Sequence, residues 1–333
     1  MEAKQYILAS RPHGMPSAEN FRTESITVTT PGNNELLLKP LFISVDPYMR
    51  GRMNDTKSYA AAWQIGDPVK GGAVAEIIES GSDSFSKGDL VTGQLPWSTY
   101  CIARAEDVRK IDIRKFPPEY YLGILGMPGL TAYFGMTDIC RPVKGDTVVV
   151  SGAAGAVGLV AGQIAKILGA RVIGIAGSDE KCNLLTNIYG FDEAINYKTS
   201  RSIRKDLGKL CPAGVDAYFD NVGGAITEAV IANLDFHSRI ALCGQISSYN
   251  ATRIPETGGF VFSILLTRSV LLKGFIVHDY ARHFPEGRQQ LATWIAEGRL
   301  KFTQTIVEGF DRLPEAFLGL FSGQNTGKML VKV

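Results

Sequence analysis

The chain has 333 residues, 45% hydrophobic and 20% charged, and its 35 Lys and Arg residues nearly balance its 33 Asp and Glu residues. This length predicts two domains of about 150 residues each, and the small net charge argues against a nucleic-acid-binding surface. Five widely spaced cysteines without a Cys-x-x-Cys pair argue against a disulfide framework or a zinc knuckle. Because the first residues, MEAKQYILASRPHG, have too short an apolar core for a signal peptide, we expect a reducing cytoplasm.

Short β-rich segments separated by turn formers fill about the first 115 residues. Examples are ESITVTT (24–30), ELLLKPLFISV (35–45), GGAVAEIIES (71–80) and DLVTG (89–93). Helical periodicity is scarce in this region, so the pattern predicts a compact, mostly β domain over residues 1–120.

From about residue 120 strands and helices alternate. The predicted strands are TVVVS (147–151), RVIGIA (171–176), EAINY (193–197), DAYFDNV (216–222), RIALCG (239–244) and LLKGFIV (271–277). Helical segments at 156–169, 178–190, 200–210 and beyond Gly224 separate them. Such alternation predicts an α/β fold with a doubly wound parallel sheet, a Rossmann domain, over residues 121–302.

The last 30 residues return to β character. TQTIVEGF (303–310) and KMLVKV (328–333) are predicted strands on either side of a short helix at 313–322. We therefore expect residues 303–333 to rejoin the first domain.

A glycine-rich turn joins the first predicted strand of the second domain to its helix. Gly152, Gly155 and Gly158 have the spacing in which the first glycine makes a tight turn, the second lets a pyrophosphate approach and the third lets helix and strand pack closely. The flanking βαβ unit is the context that makes this motif meaningful. Two alternatives remain, a glycine-rich packing contact without ligand and a membrane span; Lys166 and Arg171 interrupt the apolar run and disfavour the span.

The end of the second strand predicts which dinucleotide binds. NAD-specific folds place Asp or Glu there for the ribose 2′-OH, whereas this strand ends on Gly177 and Ser178, with Lys181 one helical turn later. Small residues, hydrogen-bond donors and a positive charge suit a 2′-phosphate. NADPH is therefore favoured over NADH, although Asp179 and Glu180 follow at once and are also normal in the first turn of a helix.

Two dehydrogenase classes do not match the chain. No tyrosine has a lysine four residues later, as short-chain reductases require, and the leading domain offers only His13 and Cys101 as soft zinc ligands. His237, His278 and His283 are better interpreted as surface or packed histidines than as metal ligands. The remaining architecture is a leading β domain, a central Rossmann domain and no metal.

The motifs that complete this pattern run along the whole chain. They are VDPYMRGRM (45–53), GILGMPGLTAYFG (123–135), SGAAGAVG (151–158), AGSDEK (176–181), INYK (195–198), YFDNVGG (218–224), LCGQISSYN (242–250), KGFIV (273–277) and GQNTGKMLVKV (323–333). With them the chain resembles the zinc-independent medium-chain reductases of the prostaglandin reductase/leukotriene B4 12-hydroxydehydrogenase family. The resemblance implies a GroES-like leading domain, a homodimer formed through the Rossmann domains, and NADPH-dependent reduction of the C=C bond of an α,β-unsaturated ketone or aldehyde.

The same resemblance assigns residues to the cofactor. It implies that NADPH contacts Met127, Ala154, Gly155, Ala156, Val157, Gly158, Gly177, Ser178, Lys181, Tyr197, Asn221, Cys243, Gly244, Ile246, Ser248, Tyr249, Phe275, Ile276, Val277 and Asn325. Each motif also has a plainer interpretation. Cys243 can be a buried strand cysteine, Tyr197 an ordinary strand-end aromatic, and Asn221 with the following glycines only a turn.

Without a metal, hydrogen-bond donors must stabilise the enolate that forms when hydride reaches the β-carbon, and a phenol or water must protonate the α-carbon. The tyrosines in or beside the cleft motifs are Tyr48, Tyr59, Tyr133 and Tyr249, and of these Tyr48 and Tyr249 are the catalytic candidates. Some family members carry a tyrosine where this chain has Thr267, so a single catalytic tyrosine does not transfer directly.

Three alternatives stay open from the sequence. Water relayed by the nicotinamide ribose could supply the proton, the substrate could be a quinone, or the protein could bind NADPH without catalysis. Loops 54–65 and 250–262 are the expected lids over the substrate, whose identity the motifs do not name.

Overall fold

The computed structural model describes residues 1–253 and 258–333. Within them the chain forms two compact units. The first comprises Met1–Gly123, Gln304–Asn325 and Met329–Val333, and the second comprises Ile124–Thr303 and Thr326–Lys328.

The strands are β1 (Glu2–Leu8), β2 (Phe21–Thr27), β3 (Glu35–Ser44), β4 (Lys70–Ser80), β5 (Leu90–Pro96), β6 (Cys101–Arg104), β7 (Val108–Lys110), β8 (Thr147–Ser151), β9 (Arg171–Ala176), β10 (Glu193–Asn196), β11 (Val215–Asp220), β12 (Leu234–Leu242), β13 (Leu271–Gly274), β14 (Gln304–Glu308) and β15 (Lys328–Lys332). The α-helices are α1 (Met49–Arg52), α2 (Met127–Phe134), α3 (Gly158–Ile167), α4 (Asp179–Asn187), α5 (Ile203–Leu210), α6 (Gly224–Ile231), α7 (Phe260–Thr267), α8 (Phe284–Ala296) and α9 (Leu313–Ser322).

The first unit is built from antiparallel strands. Its main sheet has the order β14-β15-β3-β4-β5-β7, with β6 also paired to β3, and β1 pairs with β2 in a second, two-stranded sheet. Trp97 is fully buried in the core of this unit, stacked on Phe21 at 5.8 Å and edge-on to Phe317 at 6.3 Å. The prediction of a β-rich leading domain is confirmed, and the C-terminal strands β14 and β15 belong to its sheet.

The second unit holds a six-stranded parallel sheet in the order β10-β9-β8-β11-β12-β13. This is the doubly wound order, in which the direction of strand addition reverses between β8 and β11 and leaves a crevice at the carboxyl ends of those parallel strands. Val148, Val149 and Val150 of β8 are fully buried because both faces of the sheet are covered. The prediction of a Rossmann sheet is confirmed.

Three segments complete the description of the fold, and one of them corrects a predicted strand. β1 forms from residues 2–8, outside the strands named from the sequence, because Ala3 and the run Tyr6 to Leu8 are buried while the backbone pairs with β2. The sixth strand stops at Gly274 rather than at residue 277, since the chain turns into a 3₁₀ helix from Val277. The expected lid at 250–262 includes residues 254–257, which lie outside the described residues, and its last part already belongs to α7.

The apolar run around the glycine turn is divided between β8, α3 and β9. In the described part of the chain no helix has the length and apolar character needed to cross a bilayer.

Candidate cofactor site

The glycine turn between β8 and α3 has the form that a pyrophosphate requires. Gly152 has a φ of +58°, which favours glycine. A Cβ on Gly158 would lie 2.4 Å from the carbonyl oxygen of Gly152, so only glycine lets α3 begin this close to the turn. A Cβ on Gly155 would meet only that same oxygen, at 3.2 Å, so the face of Gly155 is otherwise open. The backbone of the turn and the first residues of α3 can therefore face an anion.

A short piece of the C-terminal tail lies against this turn. The Gly327 N–H donates to the carbonyl oxygen of Ala154 at 2.8 Å, and Gly327 forms an isolated bridge with Gly155. Gly327 has a φ of +64°, and a Cβ there would lie 2.0 Å from the carbonyl oxygen of Thr303. Sequence reasoning assigned Asn325 to the cofactor, and that residue belongs to the first unit. It missed Gly327, although the Asn-Thr-Gly-Lys motif was the available signal.

Glycine and a capping serine follow β9. A Cβ on Gly177 would lie 3.0 Å from the ring of Tyr197, which is 41% exposed, so glycine leaves space between the strand end and the phenol. Ser178 is the N-cap of α4, and its hydroxyl accepts the backbone N–H of Lys181 at 3.3 Å. These residues surround the place where an NAD-specific fold has its carboxylate.

Two lysines and one hydrogen-bonded acid determine the charge around the start of α4. Burial, followed by the nearby charge of Lys198, lowers the pKa of Lys181, so two cations lie close together here. The carboxylate of Asp179 accepts a hydrogen bond from the Asn196 amide at 2.7 Å. That bond gives Asp179 a structural role. Sequence reasoning had not assigned roles to Lys198 or Asn196.

The loops after β11 and β12 are joined by hydrogen bonds. The N–H groups of Cys243 and Gly244 donate to the Asp220 carbonyl oxygen at 2.9 and 3.0 Å, and the Ile246 N–H donates to that of Asn221 at 3.5 Å. The Asn221 amide donates to the Ser151 carbonyl oxygen at 2.7 Å, which attaches the pair of loops to the end of β8. The predicted residues Asn221, Cys243, Gly244 and Ile246 therefore come together beside the glycine turn.

Tyr249 and Cys243 carry protonated side chains in this region. The Tyr249 phenol oxygen accepts the backbone N–H of Gln245 at 3.3 Å, and burial raises the pKa of that phenol. Burial, then the charges of Asp220 and Cys140, raise the pKa of the Cys243 thiol to about 12. Cys243 is thus a neutral, weakly nucleophilic group at neutral pH. Ser248 lies in the same 3₁₀ turn, and its hydroxyl donates to the Gln245 carbonyl oxygen at 2.9 Å.

Apolar residues border the carboxyl end of the sheet. Phe275 is buried edge-on against Phe219 at 6.3 Å, Ile276 follows it, and Val277 is also buried. Met127 is the first residue of α2, and its carbonyl oxygen accepts the Thr131 hydroxyl at 2.8 Å. Of these, Phe275 packs on β11 through its ring.

Tyr48, the other catalytic candidate, belongs to the first unit. It precedes α1 and packs partly buried against the core that includes Met49 and Met53. Burial and then the charge of Asp46 raise the pKa of its phenol, whereas a hydrogen bond with Gln94 acts in the opposite direction. The phenol therefore keeps its proton throughout the physiological range.

The other aromatic and polar candidates have structural surroundings. Tyr133 lies edge-on to Phe134 at 5.1 Å and tilted on Trp294 at 6.0 Å. The Thr267 hydroxyl donates to the Ser263 carbonyl oxygen at 2.8 Å at the end of α7. Among residues 1–253 and 258–333, no group of three or more His, Cys, Asp and Glu side chains could hold a metal ion.

The second unit therefore has what a dinucleotide phosphate needs. Gly155 leaves its face open beside the N-terminus of α3, Gly177 leaves space beside Tyr197, and Lys181 and Lys198 supply positive charge. These residues fit NADPH, with its extra 2′-phosphate, better than NADH.

Comparisons with known proteins agree with this geometry. Residues 4–111 match the family model described as the N-terminal domain of oxidoreductase, and residues 156–296 match the one described as zinc-binding dehydrogenase. The chain is 40% identical over 334 residues to the NADPH-dependent curcumin reductase of Escherichia coli, covering 99% of this chain and 96% of the relative. It is 41% identical over 337 residues to the NADP⁺-dependent 2-alkenal reductase of Nicotiana tabacum, covering 99% and 97%.

A solved structure matches as fully. The chain superimposes on the crystal structure of CurA from Vibrio vulnificus in complex with NADPH with a TM-score of 0.94, at 40% identity over 99% of both chains. Identity of this level over the full length confirms the resemblance that the motifs carried. The chain belongs to the family of NADP-dependent medium-chain oxidoreductases that includes curcumin reductase, 2-alkenal reductase and prostaglandin reductase.

Proposed function

We propose that this protein uses NADPH to reduce the C=C bond of α,β-unsaturated ketones and aldehydes. In the balanced reaction, one substrate, one NADPH and one proton yield the saturated carbonyl compound and NADP⁺. The full-length identity to a curcumin reductase and to a 2-alkenal reductase carries the proposal. The positive charges of Lys181 and Lys198 near the end of β9 support NADPH as the cofactor, because its 2′-phosphate is negatively charged.

The residues of the second unit would hold the cofactor in three places. The turn at Ala154, Gly155, Ala156, Val157 and Gly158 would bind the pyrophosphate, and Gly177, Ser178, Lys181 and Tyr197 would bind the ribose 2′-phosphate. Asn221 would lie under the pyrophosphate bridge. The nicotinamide side would be bordered by Cys243, Gly244, Ile246, Ser248, Phe275, Ile276 and Val277, and further cofactor contacts would come from Met127, Tyr249 and, in the tail, Asn325. Bound NADPH supplies the hydride that the β-carbon accepts.

Two phenols are the proposed hydrogen-bond donors for the substrate carbonyl. Tyr48 and Tyr249 are both held protonated by burial, which a donor to an enolate oxygen requires. Pro47 fixes its own φ immediately before Tyr48, and this stiffens the loop that carries the phenol. The proposed reaction needs no zinc, and removal of metal ions by a chelator should leave turnover unchanged.

The exposed edge of the parallel sheet supports a proposed homodimer. All four residues of β13 are exposed, with Leu271 at 45% and Leu272 at 41%, and on α7 Phe262 is 71% and Leu266 80% exposed. An unpaired edge strand flanked by large apolar side chains is suited to pair with the same strand of a second copy.

We also place the enzyme in the cytoplasm, a compartment that suits its five free cysteines.

Isotope transfer tests the reaction type. With NADPH deuterated at the transferred position, the product of a small enone should be the saturated ketone with deuterium on the β-carbon. Deuterium on the carbonyl carbon would instead identify an alcohol dehydrogenase. Oxidation of NADPH by a quinone but by neither an enone nor an enal would identify a quinone reductase, and no oxidation by any of the three would leave a non-catalytic NADPH-binding protein.

A further inference from the structure

A carboxylate without a cationic partner lies beneath the joined loops of the second unit. Asp220, the last residue of β11, is 0% exposed. Its side chain accepts five hydrogen bonds, at 2.7–3.0 Å, from the hydroxyls of Ser151, Tyr218 and Thr227 and the N–H groups of Val222 and Gly223. In the described part of the chain no Lys, Arg or His forms an ion pair with it.

Every one of these partners donates its hydrogen bond to a carboxylate oxygen of Asp220. Backbone N–H groups can only donate, and a protonated carboxyl would present its own donor in place of an acceptor. Buried charges are normally paired with an opposite charge because desolvation is expensive. Here dipoles alone stabilise the anion, so its negative potential extends beyond its immediate partners.

That potential reaches the residues assigned to the nicotinamide side. The Asp220 carbonyl oxygen accepts the N–H groups of Cys243 and Gly244 at 2.9 and 3.0 Å. After burial, the charge of Asp220 contributes to raising the pKa of the Cys243 thiol. It also contributes, after burial and the charge of Cys243, to raising the pKa of the Tyr249 phenol. Two groups on the loop after β12 therefore respond to this one carboxylate.

We propose that the Asp220 carboxylate stabilises the oxidised, cationic nicotinamide ring relative to the reduced, neutral ring. This inference rests on the placement of the nicotinamide in the proposed function. The ring gains a positive charge when the β-carbon takes the hydride, so a fixed negative charge favours that step. Both forms of the cofactor carry the same phosphates, so repulsion between Asp220 and the phosphates cancels when the two forms are compared.

The ratio of the dissociation constants of NADP⁺ and NADPH isolates this effect. Both constants are measured on the full-length protein at pH 8 by calorimetric titration, without substrate. Asp220→Asn keeps the shape of the side chain and removes its charge, and the ratio should rise about tenfold as NADP⁺ binding weakens selectively. Equal weakening of both forms would show that Asp220 only holds the loops in place and would overturn the inference.

Thr227→Val is the matched variant that keeps the charge. It removes one hydroxyl dipole that now screens the carboxylate at 2.7 Å, so the ratio should fall by about twofold. A rise in the ratio would contradict the inference, and this variant decides the question even where Asp220→Asn does not fold. If the parent protein binds NADPH and the ratio of the NADP⁺ and NADPH dissociation constants is unchanged in Asp220→Asn, only the charge effect is rejected. If the parent protein does not bind NADPH, the proposed function is rejected as well.

Discussion

Lys181 is the residue on which the cofactor preference should depend. Its ammonium lies one helical turn beyond Ser178, close enough to Lys198 for the second charge to lower its pKa. Lys181→Ala should weaken NADPH binding by about 1–3 kcal/mol, the scale of a charge-assisted hydrogen bond, and leave NADH binding nearly unchanged. Lys205→Ala, at an exposed position on α5, is the control. Equal losses for both cofactors would reject a contact with the 2′-phosphate.

The same lysine predicts a pH dependence. Because burial and Lys198 lower the pKa of Lys181 in the free protein, its positive charge is present at low pH and is lost as pH rises through that lowered value. NADPH affinity should therefore begin to fall at a lower pH than an ordinary lysine would give. Dissociation constants of NADPH and NADH between pH 7 and 10 test this, and parallel pH profiles for the two cofactors would contradict it.

Tyr48 and Tyr249 are the residues whose phenols should assist the substrate carbonyl. Each Tyr→Phe change removes one hydroxyl and keeps the ring, so cofactor affinity should hardly move. If either phenol donates the proton, turnover on a small enone at saturating NADPH should fall roughly 10²–10⁴-fold. If turnover stays within a few-fold of the parent in both single variants and in the double variant, neither phenol donates the proton. Water relayed by the nicotinamide ribose would then be the proton donor.

At the scale of elements, two glycines at the junction of β8 with α3 should have different roles, one in stability and one in cofactor binding. A Cβ on Gly158 would lie 2.4 Å from the Gly152 carbonyl oxygen, so Gly158→Ala should destabilise the unit by about 1–3 kcal/mol and also weaken NADPH binding. A Cβ on Gly155 would make only one contact, at 3.2 Å, so Gly155→Ala should weaken NADPH binding with little change in melting temperature. Thermal unfolding and calorimetry on both variants measure this.

Gly51→Ala is the matched control for that pair. Gly51 lies in α1, and a Cβ there would have nothing within 4 Å, so neither stability nor affinity should fall. If Gly155→Ala lowers the melting temperature as much as Gly158→Ala does, the two glycines share one packing role and the open face of Gly155 has no special function.

At the scale of the whole molecule, the edge strand β13 should set the oligomeric state. Light scattering of the parent protein should give twice the chain mass of 36.1 kDa. Leu271→Lys combined with Leu272→Lys places like charges on a strand that would face its own copy and should yield monomers. Ile113→Lys, at a site 50% exposed in the first unit, is the control. A parent protein that is monomeric at all concentrations would contradict the dimer.

The hydrophobic periodicity and the turn-forming and capping residues of the sequence determined the helices and strands that depend on local interactions. The β-branched run Val148 to Val150 predicted a buried strand before the glycine turn. Ser178 predicted the start of the next helix, because its hydroxyl can accept an N–H there. The nine motifs likewise determined the family. β1 was missed because its pairing with β2 makes it a strand, and seven residues carry too weak a pattern alone.

Tertiary structure alone decided what the charged side chains do. Asp179, which stood in the sequence as a competing ribose ligand, accepts a hydrogen bond from Asn196, 17 residues away. In the sequence Asp220 had no role of its own within its motif. In the fold, Ser151 and Thr227 come from other elements and donate hydrogen bonds to its carboxylate. Such partners come from distant positions in the chain. The energy of a charged side chain depends on its hydrogen bonds and its burial. That energy is therefore determined only when the fold brings the partners to the charge.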